Sequence, residues 1–242
     1  MRLAFATGPE ITHARRGQCG WYRFQAVPFP KFRPVPFAAQ YLREVAAISE
    51  TLDADAIDTI AQALAEVRER GGRLFILGAG GGAGHASHAV NDFRKICDIE
   101  SYAPSDNVSE LTARVNDEGW DTAYRHWLVG SRLATRDALL VFSVGGGSRE
   151  HNVSMSLVNA IELAGEVGAL VVGVVGRDDG ATARLADHCI VVRGAPPERL
   201  TPHTEAFQAV VWHLLVSHPA LAMRAGTWET IGLGAEARSS TA

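Results

Sequence analysis

The fold is decided by residues 73–96, which read RLFILGAGGGAGHASHAVNDFRKI. The apolar run at 74–77 is typical of a buried strand. Small residues follow it, and a helix of mostly small residues then carries His88 and Asp92. Glycines let a backbone approach a ligand closely, and the free N–H groups at a helix N-terminus attract an anion. This order of elements indicates a phosphate site, whose candidate residues are Gly80, Gly81 and Gly82.

A second glycine loop follows a second strand. Residues 137–143 form another apolar run, and the sequence SVGGGS at 143–148 continues directly from it. A single glycine loop between a strand and a helix often serves packing alone, whereas two such loops favour a shared ligand. Hydroxyls and unencumbered N–H groups suit a phosphate. The candidate residues of this loop are Ser143, Gly145, Gly146 and Ser148.

Neither loop has the pattern of a nucleotide-binding motif. No lysine follows the glycines of the second loop in the GxxxxGK[ST] form of a Walker A loop. The first loop fits a dinucleotide fingerprint poorly, because no convincing acidic residue ends a second strand about 20 residues further on. We therefore expect no nucleotide cofactor.

The rest of the chain alternates strands with helices. Apolar positions at helical spacing predict two helices within residues 37–70, the second capped by Asp53 or Asp55. Further elements are predicted as strands at 170–175 and 189–192, and as helices at 152–167, 181–186 and 204–217. Because each strand is a near-continuous apolar run, we expect an α/β fold with a parallel sheet flanked by helices on both faces. Ligands of such sheets bind at the carboxyl ends of the strands, where both glycine loops fall.

The composition is that of an ordinary globular protein. The 242 residues are 47% hydrophobic and 21% charged, which suffices for one sizeable domain. The formal net charge is -4 without a lysine or arginine run, so we expect no nucleic-acid partner. The three cysteines are scattered without a CxxC pair, which suits a reducing compartment. No signal-peptide pattern or membrane-spanning apolar run is evident, so we expect a cytoplasmic protein without a membrane partner.

Both ends of the chain differ from its middle. Residues 1–36 interleave aromatic side chains with prolines, which suits an extended arm packed on the protein's own surface or on a neighbouring subunit. A partly ordered tail is the alternative interpretation. We divide the chain into this N-terminal arm, a core domain at 37–222 and a C-terminal tail at 223–242.

Four ionisable residues stand out on two predicted helices. His88 and Asp92 are four residues apart and share a helix face, so they can bind one metal ion or act as acid and base; a surface pair without function is the alternative. Glu205 and His213 lie in an otherwise apolar helix, where a charged group needs a partner; a satisfied core histidine is the alternative. The last two residues are about 12 Å apart along a helix axis. If all four groups serve one site, some of them must come from another subunit.

The order of these motifs resembles the sugar isomerase (SIS) family. A glycine loop, a helix with His-x-x-x-acid, a Ser-x-Gly-Gly-x-Ser loop and a late helix with a histidine follow one another between about residues 40 and 218. Within the family, the chain is most similar to the phosphoheptose isomerases, which convert sedoheptulose 7-phosphate to glycero-manno-heptose 7-phosphate. The resemblance implies the SIS type of the flavodoxin-like three-layer sandwich.

The resemblance also implies a phosphorylated sugar as substrate and a homotetramer with sites between subunits. It implies that Asp92, at the position of a family glutamate, shares the acid–base work with His213. It implies a set of positions that hold zinc in some members: His88, Asp92, Glu205 and His213. Three residues fall where the family has similar loop residues near the sugar, namely Asp106, Asn116 and Asp117. We predict a loop for residues 116–120.

The chain departs from the family pattern in its loops. Hydroxyl or amide side chains of the family are replaced at Ala79, Gly82, Val144, Gly145 and Glu205. The phosphate would then rely on backbone N–H groups, on the serines of the second loop and on Arg94 or Arg149. An acid at position 205 should favour a divalent cation. Two other functions stay open: a non-catalytic SIS module that binds a sugar phosphate or a protein partner, and an isomerase of a different sugar.

Overall fold

The structure, a computed structural model, describes residues 36–231. The chain divides into two units, Met1–Phe37 and Ala38–Ala242. The predicted N-terminal arm lies almost entirely outside the described residues, as does the end of the predicted C-terminal tail. The proposed domain boundaries therefore stay predictions.

The second unit contains nearly all of the described helices and strands. The helices are α1 (Phe37–Ser49), α2 (Ala54–Glu69), α3 (Gly81–Lys95), α4 (Val108–Glu118), α5 (Trp120–Gly130), α6 (Met155–Val167), α7 (Ala181–Leu185), α8 (Leu200–Ser217) and α9 (Thr227–Thr230). The strands are β1 (Leu74–Gly78), β2 (Ser101–Tyr102), β3 (Ala138–Ser143), β4 (Leu170–Val175) and β5 (His188–Val191). Among the helices of residues 36–231, none is both long and apolar enough to cross a membrane.

The strands form one sheet in the order β2-β1-β3-β4-β5, and every neighbouring pair is parallel. The register pairs Gly78 with Phe142 and Ser143 with Val175, so β1, β3 and β4 end at the same edge. The central strands are buried along nearly their whole length, as their apolar runs predict. This is the flavodoxin-like strand order, and the predicted α/β fold is confirmed.

Alternate side chains of the strands enter two separate cores, because successive side chains of a strand point to opposite faces. On one face, Ile76 and Leu140 belong to a core with α1, α2, α3 and α8. On the other face, Phe75 and Leu139 belong to a core with α5 and α6. The sheet is therefore the middle of three layers, and α3 and α8 lie on the same side of it.

Two details of the predicted elements are confirmed. The side chain of Asp53 accepts a hydrogen bond from the N–H of Ala56 at 2.9 Å, so Asp53 rather than Asp55 caps α2. Each predicted strand agrees with the observed one to within one residue at either end. The two-residue strand β2 has no apolar run of its own and was not predicted.

Three other predictions are wrong in detail. Residues 116–118 are the last turn of α4 rather than a loop, and Gly119 with a φ of 83° ends this helix. Their polar composition reflects solvent exposure of the turn. Helix α6 begins at Met155, since the preceding residues form a short hairpin. Helix α8 begins at Leu200, and Pro202 fits within its first turn because that turn needs no N–H donor.

Candidate active site

Both glycine loops lie at the carboxyl ends of neighbouring strands. β1 ends at Gly78 and β3 at Ser143, and the two strands pair with each other. Because β2 and β3 lie on opposite sides of β1, this is the topological switch point at which α/β sheets bind ligands. The structure thus brings both candidate loops to one place.

The first loop depends on close backbone approach. A Cβ at Gly82 would lie 2.7 Å from the carbonyl oxygen of Phe142, so a serine would not fit here without movement of β3. Gly80 has a φ of 58°, in the left-handed region that favours glycine. The hydroxyl of Tyr124 donates to the carbonyl of Gly78 at 2.7 Å, and burial raises the pKa of Tyr124 to about 12. The first loop is therefore held by two contacts: the close approach of Gly82 to the carbonyl of Phe142, and the hydrogen bond from Tyr124 to Gly78.

The second loop presents free backbone donors. The carbonyls of Gly146 and Gly147 accept hydrogen bonds from N–H groups of α7, and the Ser143 hydroxyl oxygen accepts from the N–H of Gly146 at 3.0 Å. The N–H groups of Gly145 and Gly147 donate to no residue between 36 and 231. These two donors, with the Ser143 hydroxyl hydrogen, can hold an anion.

A short hairpin follows the second loop. Ser148 and Val153 exchange two backbone hydrogen bonds of 2.9 Å each. The Ser148 hydroxyl lies 3.0 Å from Nδ1 of His151. His151 therefore holds this candidate phosphate ligand in position. Sequence reasoning missed His151 because the pairing depends on the hairpin, and a histidine in a polar stretch gives no separate signal.

Both candidate arginines are engaged by other groups. Arg149 forms an ion pair of 2.5 Å with Glu162 and donates to the side chain of Asn159. Arg94 donates to the carbonyl of Ser101 at 3.2 Å. An anion at the loops would therefore be held mainly by N–H and hydroxyl donors.

The two loops enclose a cavity of about 260 Å³. Its apolar wall includes Phe142 and Leu157, and its polar wall includes Ser143, Glu205 and Gln208. Larger cavities of 570 and 410 Å³ lie at the amino ends of the strands and beside β2, away from both loops. We assign the substrate site to the smaller cavity because the glycine loops line it, and its size is near the lower end of ligand sites.

Three of the candidate acid–base residues meet where α3 packs against α8. His88, Asp92 and His213 each place one ligand atom within 4.8 Å of the others. His213 Nδ1 lies 2.7 Å from the carbonyl oxygen of Ala209, which assigns the hydrogen to Nδ1 and the lone pair to Nε2. The Asp92 side chain is only 14% exposed, against 58% for His88. One chain thus supplies an imidazole lone pair beside a sheltered carboxylate.

Trp212 supports both imidazole rings. Its indole stacks on His213 with ring centroids 3.4 Å apart and meets His88 edge-on at 4.6 Å. The indole is buried in the core between the helices, so it offers both rings a fixed surface. Sequence reasoning missed this contact because a tryptophan in an apolar helix predicts core packing only.

The donor set of this cluster fits a divalent metal ion. Two imidazoles and one carboxylate form the protein ligands of one known class of catalytic zinc site, with a fourth position left for water or substrate. Bonds of about 2.1 Å require the ligand atoms to lie closer together than 4.8 Å, so a bound ion would draw these side chains towards one another. These three residues meet within one chain. The expectation of a second subunit concerned a site that also includes Glu205, and it stays a prediction.

Glu205 lies at the first glycine loop instead. A Cβ at Gly81 would be 2.5 Å from Oε1 of Glu205, so the carboxylate packs directly over this glycine. His85 of α3 is its neighbour: burial lowers the pKa of His85, and the charge of Glu205 opposes this shift. The structure therefore groups Glu205 with the loop cavity and the other three candidate ligands with one another.

The remaining candidate sugar ligands are less closely connected. Asp106 accepts a hydrogen bond of 2.5 Å from Ser87, the residue before His88, and so lies beside α3. Asn116 and Asp117 are exposed at the end of α4, where the amide of Asn116 donates to Asp117 at 2.7 Å. Within the described range, no hydrogen bond or ion pair joins these two residues to either loop.

Comparisons with known proteins agree on one family. Residues 40–176 match the profile described as SIS domain. The lincomycin biosynthesis protein LmbN of Streptomyces lincolnensis is 36% identical over 196 residues, which cover 76% of this chain and 70% of that protein. A phosphoheptose isomerase of Aneurinibacillus thermoaerophilus is 29% identical over 164 residues, covering 66% and 77%. The structure of phosphoheptose isomerase GmhA from Neisseria gonorrhoeae, at 21% identity, covers 75% of this chain and 94% of that one, and its TM-score of 0.63 shows the same fold.

Proposed function

The chain belongs to the SIS domain family, and from this premise we propose that it is an aldose–ketose isomerase of a phosphorylated sugar. The substrate we favour is sedoheptulose 7-phosphate, converted to D-glycero-D-manno-heptose 7-phosphate through a cis-enediol. The observation that carries the proposal is the Asp92 carboxylate beside the lone-pair nitrogen of His213, on α3, which begins at the first glycine loop, and on α8, which carries Glu205 at that loop. The phosphoheptose isomerases among the relatives support this choice.

The reaction moves one proton between carbons and one between oxygens. Asp92 removes the proton from the carbon beside the carbonyl and returns it to the neighbouring carbon. Its carboxylate is sheltered and accepts a hydrogen bond of 2.7 Å from the amide of Asn91, which fixes its orientation. His213 takes the hydroxyl proton through Nε2 and delivers it to the other oxygen. One C–H and one O–H bond break, and one of each forms.

The substrate phosphate is assigned to the second loop. Its donors there are the N–H groups of Gly145 and Gly147 and the hydroxyls of Ser143 and Ser148. The Glu205 carboxylate over the first loop would repel an anion, so Gly80, Gly81 and Gly82 are assigned to the sugar chain. By the family resemblance, Asp106, Asn116 and Asp117 are further proposed sugar contacts.

Zinc is the proposed metal. His88, Asp92 and His213 would hold it, and the family resemblance adds Glu205, which would then come from another subunit. With the ion bound, Asp92 and His213 would be ligands as well, so a water or the substrate's own hydroxyl would join the proton path. When bound, the ion would act as a Lewis acid on the sugar oxygens. We also propose the homotetramer with sites between subunits, which the mass of the native assembly would test.

The test is conversion of sedoheptulose 7-phosphate by the purified protein after chelation, with and without added zinc. Aldose product that disappears in Asp92→Asn and in His213→Gln supports the isomerase. Dependence on zinc would support the metal assignment. A correctly assembled protein that forms no aldose under either condition contradicts the heptose assignment.

An isomerase of another sugar is the second candidate. The identity to LmbN, a lincomycin biosynthesis protein, is 36% against 29% for the phosphoheptose isomerase, and this favours a specialised sugar phosphate. A panel of ketose phosphates of different length and configuration separates the two candidates. Binding of a sugar phosphate without any turnover would instead support the non-catalytic module.

A further inference from the structure

The two glycine loops differ in what lies against them. At the second loop, a Cβ at Gly145 would meet no atom within 4 Å, so the loop is open at a residue whose N–H group is free. At the first loop, a Cβ at Gly81 would lie 2.5 and 2.6 Å from the two carboxylate oxygens of Glu205. The second loop is therefore open to an anion, whereas a carboxylate lies over the first.

The Glu205 carboxylate is close to the N–H groups of the first loop. The backbone N–H groups of Gly80 and Gly81, at the start of α3, donate to no residue between 36 and 231. A Cβ lies about 2.5 Å from the nitrogen of its own residue, so Oε1 of Glu205 is at most about 5 Å from the nitrogen of Gly81. An anion held by these N–H groups would lie well within the roughly 10 Å over which charges interact at 0.1 M salt.

No arginine or lysine of the described residues neutralises this carboxylate. Within residues 36–231, no ion pair includes Glu205, whereas Arg199, which precedes α8, pairs with Glu44 at 2.8 Å. Glu205 is partly exposed and lines the loop cavity beside Gly82. The cavity therefore contains an unpaired negative charge that a ligand can reach.

The two loops select different groups of one ligand. A phosphate at the second loop meets free N–H donors and the Ser143 hydroxyl, which suit an anion. The part of the ligand at the first loop meets Glu205, whose carboxylate accepts hydrogen bonds from hydroxyl groups and repels a second anion. An unfavourable contact with the wrong ligand is one of the two ways in which a site becomes specific.

We propose that Glu205 makes the site specific for sugar monophosphates, because its charge rejects a ligand that carries a second phosphate or a carboxylate at the end opposite the phosphate. The choice of a sugar phosphate as ligand rests on the proposed function. The position of the charge follows from the contacts of the first loop.

Calorimetry of the full chain, freed of metal by chelation so that no ion offsets the carboxylate, measures this selection. The probes are sedoheptulose 7-phosphate and sedoheptulose 1,7-bisphosphate. The wild type should bind the bisphosphate at least about 10-fold more weakly than the monophosphate. Glu205→Gln keeps the shape but removes the charge, and it should bring the two affinities to within about threefold of each other.

The matched control is Glu69→Gln. It removes an exposed carboxylate at the end of α2, five residues before β1 begins and therefore at the opposite edge of the sheet from the loops. This variant should keep the wild-type ratio of the two affinities. A control that loses the ratio as Glu205→Gln does would overturn the proposal, since the net charge of the protein would then explain the selection.

A second measurement needs no variant. Repulsion between charges weakens as salt is added, so the wild-type ratio should fall at least about threefold between roughly 0.05 and 0.5 M sodium chloride. A ratio that does not respond to salt overturns the proposal, because the shape of the cavity would then exclude the second phosphate. Equal affinity of the wild type for both probes overturns it as well, and so does binding of neither probe.

The outcomes separate this inference from the isomerase proposal. If sedoheptulose 7-phosphate is isomerised but Glu205→Gln keeps the wild-type ratio, the function stands and the selection by Glu205 is wrong. If there is no turnover while Glu205→Gln gains affinity for the bisphosphate alone, the selection stands and the heptose isomerase is wrong.

Discussion

The loop cavity and the α3–α8 face present different kinds of functional group. The second glycine loop offers backbone N–H donors, which remain although Val144 and Gly145 carry no hydroxyl. The α3–α8 face offers three ionisable side chains, His88, Asp92 and His213. Main-chain binding tolerates changes of side chain as long as the loop shape persists, whereas acid–base chemistry depends on single residues. Side-chain substitutions in the second loop should therefore be tolerated as long as the loop shape persists, whereas a single substitution at the α3–α8 face should abolish the acid–base chemistry.

The largest effect is expected at the α3–α8 face. In Asp92→Asn, the maximal rate with the physiological ketose phosphate should fall about 10³-fold while KM changes little, because the base is lost but the loops are intact. Steady-state kinetics measures both constants. The control Asp98→Asn removes an exposed carboxylate, paired with Arg224 at 3.4 Å, and should leave the rate within about twofold. A change in KM alone for Asp92→Asn would contradict the division of roles.

The next effect is expected in the shape of the first loop. Gly82→Ser restores the residue type of the family pattern, but its Cβ would meet the carbonyl of Phe142 at 2.7 Å. We expect a loss of about 1–3 kcal/mol in the free energy of unfolding, together with a raised KM. Urea denaturation measures the stability. The control Gly84→Ala lies in the same helix with open space around its Cβ and should be neutral or slightly stabilising.

A smaller effect is expected from the support of this loop. Tyr124→Phe removes the hydrogen bond to the carbonyl of Gly78 and should cost about 1 kcal/mol of unfolding free energy. The matched control Tyr102→Phe removes a hydroxyl bonded to Glu100 at the surface and should cost less. Equal losses in the two variants would show that the Tyr124 hydroxyl does not hold the loop.

The smallest effect is expected at the start of α8, the helix that carries Glu205 at the loop cavity and His213 at the α3–α8 face. Glu44 of α1 pairs with Arg199 at 2.8 Å and with His203 of α8 at 2.9 Å, and Arg199 foremost holds the pKa of Glu44 at about 2 instead of 4.5. A lowered folded-state pKa stabilises above the unfolded value and is lost as the pH falls from about 4.5 towards 2. Glu44→Gln should therefore flatten the acid limb of unfolding free energy against pH. An unchanged acid limb would contradict this assignment.

Much of the fold follows from local patterns. The apolar runs identify β1, β3, β4 and β5. The two glycine loops fall at the carboxyl ends of β1 and β3, as predicted. Strand β2 escaped prediction because two residues provide no periodicity. The polar residues at 116–118 predict a loop, whereas they form the last turn of α4 and face solvent.

The candidate site was only partly predictable. Helical spacing pairs His88 with Asp92, but only the packing of α3 on α8 adds His213 and separates Glu205 from them. The absence of a serine at Gly82 looked like a loss of binding capacity in the sequence. The short distance from a Cβ at position 82 to the carbonyl of Phe142 explains why a glycine stands there. Such contacts join distant segments, and no local pattern reports them.

The separation of His88 and His213 along the chain has a kinetic consequence. More than a hundred residues and four of the five strands lie between β1 and α8, so the face that Trp212 supports requires closure of a very long loop. Contacts between such distant segments form slowly, because their loop-closure entropy precedes any gain from packing. During refolding, signals from local helices should return before any activity that needs both histidines. A nascent chain still lacking α8 would have the glycine loops but no partner for Asp92, so function would arise only after α8 has been synthesised.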